Sequence, residues 1–476
     1  MSTDLDELFT TLGRQADAVP IGTAEQARRR GAQLRTRQRA VLAGAAAVVL
    51  VLAGAGVLAV RQHRLTDPVL PATTPSRIRG LAPLGEPLPA PAGETWTAAR
   101  IAGDRVIGLS KTRAIAIDAG TGRTLWTLPG LDSTYLGVAT TAKSVILVRQ
   151  PAPAVEDIKA PDNRVLEFHD PATGAKRWQL PHTTGDRLVL HRDVVVRLSK
   201  TTGRIDAYDL AGGRRLWTAA AGATMISGML TGADASEDVS GGGAALFSPE
   251  SEKAFPVTDD RLVSITSGGQ VVIRNIRTGK VQSQTRARRD AQELIAYEGM
   301  VYTEESTPGG LGIGTPQRIL YDRQGSWAMD RYFPCGHDRL CLYETDGSDV
   351  RLLLIDAVGG TVLRRTGAVP LSGTSSVRLG HVMTSGGGDK GTALYDENGQ
   401  ARYSDNGIGG FIDDGNVLTL TRDAGDGRFT ARGVSNIDYR KVTLGTMPEI
   451  SGRCDWDTGL LTCPTGQGLY SWRFTR

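Results

Sequence analysis

The sequence predicts an all-β protein, a β-propeller of four-stranded blades preceded by one transmembrane helix. Two patterns predict the propeller: a strand–turn–strand unit recurs along the chain, and a short apolar strand comes before each recurrence. A third pattern, a long run of apolar residues near the N-terminus, predicts the membrane helix. Recurrence at a nearly fixed period indicates a repeat architecture.

The recurring unit is clearest at Asp118-Ala-Gly-Thr-Gly122-Arg-Thr-Leu-Trp126, which follows the alternating stretch Arg113–Asp118. Apolar/polar alternation predicts a strand. Aspartate followed by glycine predicts a tight turn, because aspartate can bond its own backbone and glycine can adopt a positive φ. Two copies keep both four-residue steps, whereas others keep only the turn or shorten it: Asp170…Gly174…Trp178 and Asp209…Gly213…Trp217; then Asn275…Gly279, Asp356…Gly360, Asp396…Gly399 and the contracted Asp322…Gly325…Trp327.

The apolar strand that comes before each copy predicts how many blades the ring contains. These strands begin at Val106, Val145, Val194, Leu262, Met300, Leu340, His381 and Val417. Eight such hairpins, each followed by a third strand, fit four-stranded blades in a ring. The tail Leu460–Phe474 resembles a ninth, partial unit that a strand near Trp96 would complete. We therefore predict eight blades, with seven as the alternative.

Residues 40–60 form a run of 21 residues without a charged or polar side chain. About 20 helical residues at 1.5 Å each cross a hydrocarbon layer of about 30 Å, so the run predicts a transmembrane helix. A cleaved signal peptide is disfavoured, because its apolar region is usually shorter and the one Ala-x-Ala, Ala53–Ala55, lies inside the run. Arginines are concentrated before the run: Arg28, Arg29, Arg30, Arg35, Arg37 and Arg39, against Arg61 and Arg64 after it.

That asymmetry predicts a cytoplasmic N-terminus and an extracytoplasmic remainder, in a single-pass protein of the cell membrane. Residues 1–39 form the cytoplasmic tail. Its apolar residues fall at i, i+3, i+4 and i+7, which predicts an amphipathic helix that either docks a cytoplasmic protein or lies on the membrane: Leu5, Leu8, Phe9 and Leu12. Residues 61–93 are proline-rich and predict an extended linker. Residues 94–476 form the propeller domain.

Overall charge argues against nucleic-acid binding. The chain carries 55 basic and 51 acidic residues, for a formal net charge of +4. Phosphate binding requires concentrated positive surface, so we expect no nucleic-acid partner.

All four cysteines lie in the C-terminal third of the chain: Cys335, Cys341, Cys454 and Cys463. In an oxidising compartment an even number of cysteines predicts disulfides. Three connectivities are possible, of which the local pairs Cys335–Cys341 and Cys454–Cys463 require the least rearrangement of the chain. A metal site that includes His337 is the alternative, but neither spacing is a CxxC, and we expect no metal.

The repeat resembles that of the PQQ-like β-propellers, which include quinoprotein dehydrogenases and non-enzymatic BamB-type assembly lipoproteins. Three copies carry the resemblance: Ala114–Trp126, Val165–Trp178 and Ile205–Trp217. It covers residues 94–476. In that family the repeat tryptophans pack between neighbouring blades, which implies a structural role for Trp126, Trp178 and Trp217.

The resemblance also raises a specific alternative function, that of a PQQ-dependent dehydrogenase. Such enzymes hold Ca²⁺ with carboxylate and amide side chains, use an aspartate base and commonly carry an adjacent-cysteine disulfide. This sequence has no Cys-Cys pair, and its aspartates lie mostly in turns that explain them. The glycine-rich Gly309–Gly314 precedes no helix and is expected to be a flexible loop rather than a phosphate site. We therefore predict no enzyme, no catalytic residues and no cofactor.

The predicted function is that of a membrane-anchored, extracytoplasmic module that binds a protein or ligand of the cell envelope, or acts as a scaffold there. In repeat folds the binding residues usually lie in loops. The long loops expected to contact an envelope partner are about 150–163, 226–259, 304–316 and 384–391. A signalling receptor that recruits a cytoplasmic regulator through its N-terminal tail is the alternative.

Overall fold

A computed structural model describes most of the chain from residue 76 onward. The described residues are 76–129, 133–141, 143–151, 163–231, 257–287, 291, 293–307, 310–322, 325–347, 349–368, 374–385 and 391–476. The predicted tail, the predicted membrane helix at 40–60 and the first part of the predicted linker lie outside them. Within these ranges, no helix has the length and apolarity needed to cross a membrane.

The described strands form seven four-stranded sheets and one eight-stranded sheet. The eight-stranded sheet consists of two antiparallel four-stranded sets joined by a short parallel pairing of Met229 and Leu230 with Ala296 and Tyr297. The described part of the chain thus contains nine four-stranded antiparallel units, numbered here in chain order. All-β architecture is confirmed.

Units 1–3 contain β2 (Ala98–Ala102), β3 (Arg105–Leu109), β4 (Arg113–Asp118), β5 (Thr124–Pro129); β6 (Ser133–Thr140), β7 (Val145–Pro151), β8 (Asn163–His169), β9 (Lys176–Thr183); β10 (Arg187–Leu190), β11 (Val194–Leu198), β12 (Ile205–Asp209), β13 (Arg215–Ala219). Units 4–6 contain β14 (Ala223–Leu230), β15 (Arg261–Thr266), β16 (Gln270–Asn275), β17 (Val281–Arg286); β18 (Leu294–Tyr297), β19 (Met300–Thr307), β20 (Gly310–Gly314), β21 (Ile319–Asp322); β22 (Ala328–Pro334), β23 (Arg339–Asp346), β24 (Asp349–Asp356), β25 (Val362–Ala368). Units 7–9 contain β26 (Thr374–Arg378), β27 (His381–Ser385), β28 (Thr392–Tyr395), β29 (Ala401–Asp405); β30 (Ile408–Asp413), β31 (Asn416–Arg422), β32 (Phe429–Ser435), β33 (Lys441–Met447); β34 (Asp455–Trp456), β35 (Leu460–Thr465), β36 (Gly468–Thr475) and β1 (Gly80–Pro83).

Unit 9 closes the ring, because it combines the last three strands of the chain with the first. β1 pairs antiparallel with β36, from Gly80 opposite Thr475 to Pro83 opposite Trp472. On its inner side unit 9 joins unit 1, where the backbone N–H of Ala99 donates to Arg453 and that of Arg453 donates to Thr97. The first and last described strands of the ring therefore lie in one sheet.

Three expectations from the sequence differ from this structure. The pattern predicts eight blades, or seven, whereas the described strands divide into nine units. The ninth unit arises because β1 adds a fourth strand to the three strands of the tail. The strand that completes it is Gly80–Pro83 rather than one near Trp96, so part of the predicted linker 61–93 belongs to the ring. Pro83 suits that place, since proline is tolerated on edge strands. Finally, Gly310–Gly314 forms strand β20 rather than a flexible loop.

The repeat tryptophans join each unit to the next. Trp126 of unit 1 donates its indole N–H to the carbonyl of Pro171 in unit 2, at 3.0 Å. In the same way Trp178 donates to Leu210 at 2.9 Å, and Trp217 donates to Ile276 at 2.8 Å. Each acceptor directly follows the aspartate or asparagine that opens the next turn. The indole thus docks on the turn of the following unit.

The glycine of that turn provides the space for the indole. A Cβ on Gly174 would lie 2.8 Å from the Trp126 ring, and one on Gly213 would lie 2.4 Å from the Trp178 ring. Both glycines also have positive φ, 72° and 69°. The glycine therefore meets two requirements at once, a left-handed backbone and a missing side chain.

Units without a repeat tryptophan use other contacts at the same place. Tyr302 of unit 5 donates its hydroxyl to the carbonyl of Ala357 in unit 6, at 3.0 Å. In unit 8 the glycine position of the turn is taken by Tyr439, at φ 57°, whose hydroxyl contacts His381 of unit 7 at 3.1 Å. The docking point persists where the tryptophan is lost.

The four cysteines form two disulfides, Cys335–Cys341 and Cys454–Cys463. Each joins the first two strands of a unit, unit 6 and unit 9 respectively. They are the two local pairs among the three possible connectivities.

We expect Gly213→Ala to destabilise the protein by about 1–3 kcal/mol more than Gly122→Ala. The two glycines share a repeat position and nearly the same φ, 69° and 68°. A Cβ on Gly122 has no atom nearer than 4.0 Å, whereas one on Gly213 overlaps Trp178. The difference in free energy of unfolding, measured by urea denaturation, isolates the docking contact from the backbone cost. Equal losses for the two variants would show that indole docking contributes nothing.

Candidate functional site

The antiparallel units place their connections on two opposite faces of the ring. The connections between the second and third strands lie on one face, which we call the loop face, together with the connections that lead into each new unit. Three of the predicted loops belong there: 150–163, 304–316 and 384–391. The loop predicted at 226–259 joins the first and second strands of unit 4 and belongs to the opposite face.

The loop predicted at 304–316 is largely strand. β19 continues to Thr307 and β20 begins at Gly310, so this connection is a tight hairpin. The tips of the other three predicted loops lie outside the described residues. The predicted contact face therefore consists, in unit 5, of strand ends rather than of a loop.

An unusual group of polar side chains lies at these strand ends. Glu293 and Glu304 face each other across the first two strands of unit 5, where the backbone N–H of Glu304 donates to the carbonyl of Glu293 at 3.2 Å. Glu305 follows, and Tyr332 approaches from the first strand of unit 6. We call these four residues the carboxyl cluster. Glu304, Glu305 and Tyr332 are 8%, 2% and 0% exposed, and Glu293 is half-buried.

Electrostatics sets this cluster apart. Burial, reinforced by the charge of Glu304, raises the pKa of Glu293, and burial also raises the pKa of Glu304. Every other described carboxyl group with a clear shift has its pKa lowered. For example, hydrogen bonds from Lys143 and Arg277 lower the pKa of Asp193 to about 2. Raised carboxyl pKa values are a physical marker of functional sites.

Two polar atoms of the cluster have no hydrogen-bond partner among the described residues. They are Oε2 of Glu293 and the hydroxyl of Tyr332, both buried. Burial raises the pKa of Tyr332 well above its ordinary value, and the charges of Glu293, Glu304 and Glu305 raise it further. The phenol therefore lies within range of all three carboxylates. Buried polar groups are normally paired, so these two atoms call for an explanation.

Two fully buried carboxylates elsewhere in the ring are paired with arginine. Asp206 is fully buried and contacts Arg204 at 2.9 Å. Glu344 is also fully buried and contacts Arg351 at 2.6 Å. By contrast, no described cation lies within ion-pair distance of Glu304 or Glu293. Arg187, at the start of the first strand of unit 3, lowers the pKa of Glu293 only as a weaker, opposing influence.

A second polar group lies on the opposite face. Glu298, His337 and Asp338 hold their ligand-type atoms within 4.8 Å of one another, the one such group of three among the described residues. His337 contacts Glu298 at 2.9 Å through Nδ1. The sequence suggested His337 with the cysteines as the alternative metal site, but both nearby cysteines form a disulfide. His337 and Asp338 are more than half exposed, and their mutual contacts account for the arrangement.

The repeat residues singled out by the sequence lie away from the carboxyl cluster. Asp118, Asp170 and Asp209 open turns between third and fourth strands, on the face opposite the loops. Gly122, Gly174 and Gly213 close those turns by donating their N–H to the aspartate carbonyl at 2.8–2.9 Å. The indoles of Trp126, Trp178 and Trp217 each donate a hydrogen bond to the next unit. None of these nine repeat residues contacts the carboxyl cluster.

Sequence reasoning missed the carboxyl cluster. One signal was available: Glu304 and Glu305 interrupt a strand that begins with Met300-Val-Tyr-Thr. Two adjacent acidic residues in a strand buried on both sides are unexpected, because burying charge is costly unless it is paired. Glu293 and Tyr332 carried no such signal, since they join the cluster only through the folded ring.

Comparison with known proteins was made at the level of family and of structure. A family model described as outer membrane protein assembly factor BamB matches residues 87–224 and 201–314. Among curated proteins, none matches the sequence at a significant level.

Two solved structures are similar over most of the chain. The crystal structure of the computationally designed Ika8 protein has 13% identity and a TM-score of 0.44, covering 83% of this chain and all of the designed one. The crystal structure of BamB from Moraxella catarrhalis has 10% identity and a TM-score of 0.43, covering 83% of this chain and 97% of that one.

We expect Glu304→Gln to stabilise the protein at neutral pH by about 1–2 kcal/mol. The pKa of Glu304 is raised, so the folded state holds a proton that the unfolded state has released, and wild-type stability falls as pH rises above about 4.5. Removing the carboxyl group should flatten that fall. Urea denaturation between about pH 4.5 and pH 8 measures it.

Asp193→Asn is the control of opposite sign. The pKa of the wild-type Asp193 carboxyl group is lowered, so the stabilisation that this group provides is present above pH 3.8 and is lost as pH falls toward about 2. The variant should be less stable than wild type at neutral pH, and the deficit should shrink in acid. Destabilisation by Glu304→Gln at neutral pH would contradict an unpaired carboxylate at that position.

Proposed function

Since residues 87–224 and 201–314 match the model of the BamB-type family, the chain is a PQQ-like β-propeller repeat protein, and we propose that it is a protein-binding scaffold of the cell envelope. The family is described as an outer membrane assembly factor, and binding of other envelope proteins is the activity that this description favours. The observation that carries the proposal is the loop face, where strand connections and the carboxyl cluster come together.

The partner binds the loop face rather than the opposite one. On the opposite face, the described turns between third and fourth strands of units 1–3 are short, and the side chains of Asp118, Asp170 and Asp209 already accept backbone N–H hydrogen bonds there. Asp118, for example, accepts hydrogen bonds from the backbone N–H groups of Gly120 and Thr121 at 3.1 and 2.8 Å. On the loop face, Oε2 of Glu293 and the hydroxyl of Tyr332 have no hydrogen-bond partner among the described residues. The strands on either side of two of the predicted contact loops, β7 and β8 and then β27 and β28, also end or begin at this face. Function in repeat folds resides in such connections.

The ring lies outside the cytoplasm, held by a single membrane helix at residues 40–60. Two observations support this location: arginines are concentrated before the apolar run, and both cysteine pairs are bonded. Disulfides persist in oxidising compartments. β1 begins at Gly80, so the chain between the helix and the ring is about 20 residues long and reaches at most about 70 Å when extended.

The scaffold binds without catalysing a reaction and without a cofactor. The lack of an adjacent-cysteine pair supports this over quinoprotein catalysis. Recruitment of a cytoplasmic regulator through residues 1–39 remains compatible with the same membrane topology, and it would add an output to the binding event.

Site-specific photo-crosslinking in intact cells tests the proposal. We expect the full-length protein with a benzoylphenylalanine at Thr201, in an exposed loop-face turn of unit 3, to form a discrete cross-linked product with an envelope protein. The same substitution at Thr121, in an exposed turn of unit 1 on the opposite face, should form none. Both threonines lie in short turns of the first three units, so local disturbance is matched.

Cross-links of equal yield from Thr201 and Thr121 would indicate contact without a preferred face and would count against the proposal. A product formed at Thr121 alone would place the partner on the face opposite the loop face and would contradict the proposal. Oxidation of alcohols or sugars by the full-length protein with added PQQ and Ca²⁺ would replace the scaffold with an enzyme.

A further inference from the structure

We propose that the carboxyl cluster is a binding site for a primary ammonium group. The group is either the side chain of a lysine in a partner protein or the end of a free alkylamine. In its lysine form the inference rests on the proposed scaffold function, whereas in its free-amine form it stands alone.

The first argument is a match of donors and acceptors. An ammonium group has three N–H donors and no acceptor. The cluster provides two buried acceptors without a hydrogen-bond partner among the described residues, Oε2 of Glu293 and the hydroxyl of Tyr332. The third acceptor is the carboxylate of Glu304, which is buried and lies beside Glu293 on the facing strand. Glu305 is excluded from this count because it accepts a hydrogen bond from the Thr303 hydroxyl at 2.9 Å.

The second argument is charge. Glu293 and Glu304 are like charges directly opposite one another, a destabilising arrangement in a sheet. Arginine neutralises buried Asp206 and Glu344, whereas no cation among the described residues forms an ion pair with Glu293 or Glu304. Arg187 is the nearest cation that influences Glu293, and it forms no ion pair with it. A bound cation would supply the missing charge and fill the place that arginine takes in other units.

The third argument is spacing, which favours an ammonium group over a metal ion. Metal–oxygen bonds of about 2.0–2.6 Å draw ligand oxygens close together. Three carboxylates of the cluster do not meet even a 4.8 Å limit, since the one described group that does is Glu298, His337 and Asp338. The ammonium site requires only two carboxylates, those of Glu293 and Glu304, because the hydroxyl of Tyr332 is its third acceptor.

Access to the cluster follows from the topology. Glu293 opens the innermost strand of unit 5, and Arg187 opens that of unit 3, both at the loop face. Glu293 is half-buried, whereas Tyr332 is fully buried. An alkylammonium that approaches from the loop face would therefore meet Glu293 first, and its ammonium group would be directed to Glu304 and Tyr332.

Calorimetric titration of the full-length protein tests the inference, with n-butylammonium as the probe and n-butanol as its neutral counterpart. At about pH 8 we expect the ammonium compound to bind at least about tenfold more tightly than the alcohol. Glu293→Gln and Glu304→Gln should each weaken ammonium binding about tenfold or more, and Tyr332→Phe should weaken it less. Glu86→Gln, an exposed carboxyl group outside the cluster, should leave binding unchanged.

Loss of binding in Glu304→Gln cannot be attributed to unfolding, because that substitution is expected to stabilise the fold. Equal binding of butanol and butylammonium would overturn the inference, as would undiminished binding in both glutamine variants. Binding of Ca²⁺ or Zn²⁺ that competes with butylammonium and is lost in the same variants would make the cluster a metal site, which also overturns it.

Two peptide arms separate the sources of the ammonium group. Tighter binding of a capped Ala-Lys-Ala peptide than of butylammonium indicates a lysine side chain, with the Nε-acetylated peptide as the control that should not bind. Tighter binding of butylammonium indicates a free amine. Cross-linking from Thr201 in a protein that binds butanol and butylammonium equally would show that the scaffold function stands while the ammonium site fails.

Discussion

The ring depends on contacts that join each unit to its neighbour, and the clearest of them dock a tryptophan of units 1, 2 and 3 onto the turn of the next unit. In units 1–3 the contact is an indole N–H donated to a backbone carbonyl, with the ring lying over a glycine that has no side chain. A four-stranded sheet alone buries only part of its surface. The docked indole buries the remaining edge and fixes the angle between neighbours, because the hydrogen bond and the glycine permit a single placement of the ring.

This constraint explains why some of the fold could be predicted and some could not. Asp, Gly and Trp recur at fixed spacing in the first units, so strands, turns and the repeat follow from the sequence. The number of units could not be predicted from the sequence, because later units use chemically different contacts in place of the indole. Examples are the hydroxyl groups of Tyr302 and Tyr439. The role of β1 was hidden as well, because its short sequence among prolines has meaning only beside β36.

The carboxyl cluster was beyond prediction for a related reason. Its members come from a strand end, the facing strand and the neighbouring unit, at separations that local patterns do not record. Only Glu304 and Glu305 were out of place in their own strand. What distinguishes the cluster is a comparison within one molecule: unit 3 and unit 6 pair each buried carboxylate with arginine, and unit 5 leaves two without a cation. This contrast depends on distances between side chains in the folded ring, which the sequence does not contain.

The closing sheet has a consequence for the order of assembly. β1 is the first strand of the ring in chain order, and its partner β36 is the last. Each of units 1–8 can form from strands adjacent in the chain, so the body of the ring can assemble progressively during synthesis. β1 must wait, unpaired, until β36 has been made. A product truncated before β36 would therefore leave β1 without its partner strand and the ring open.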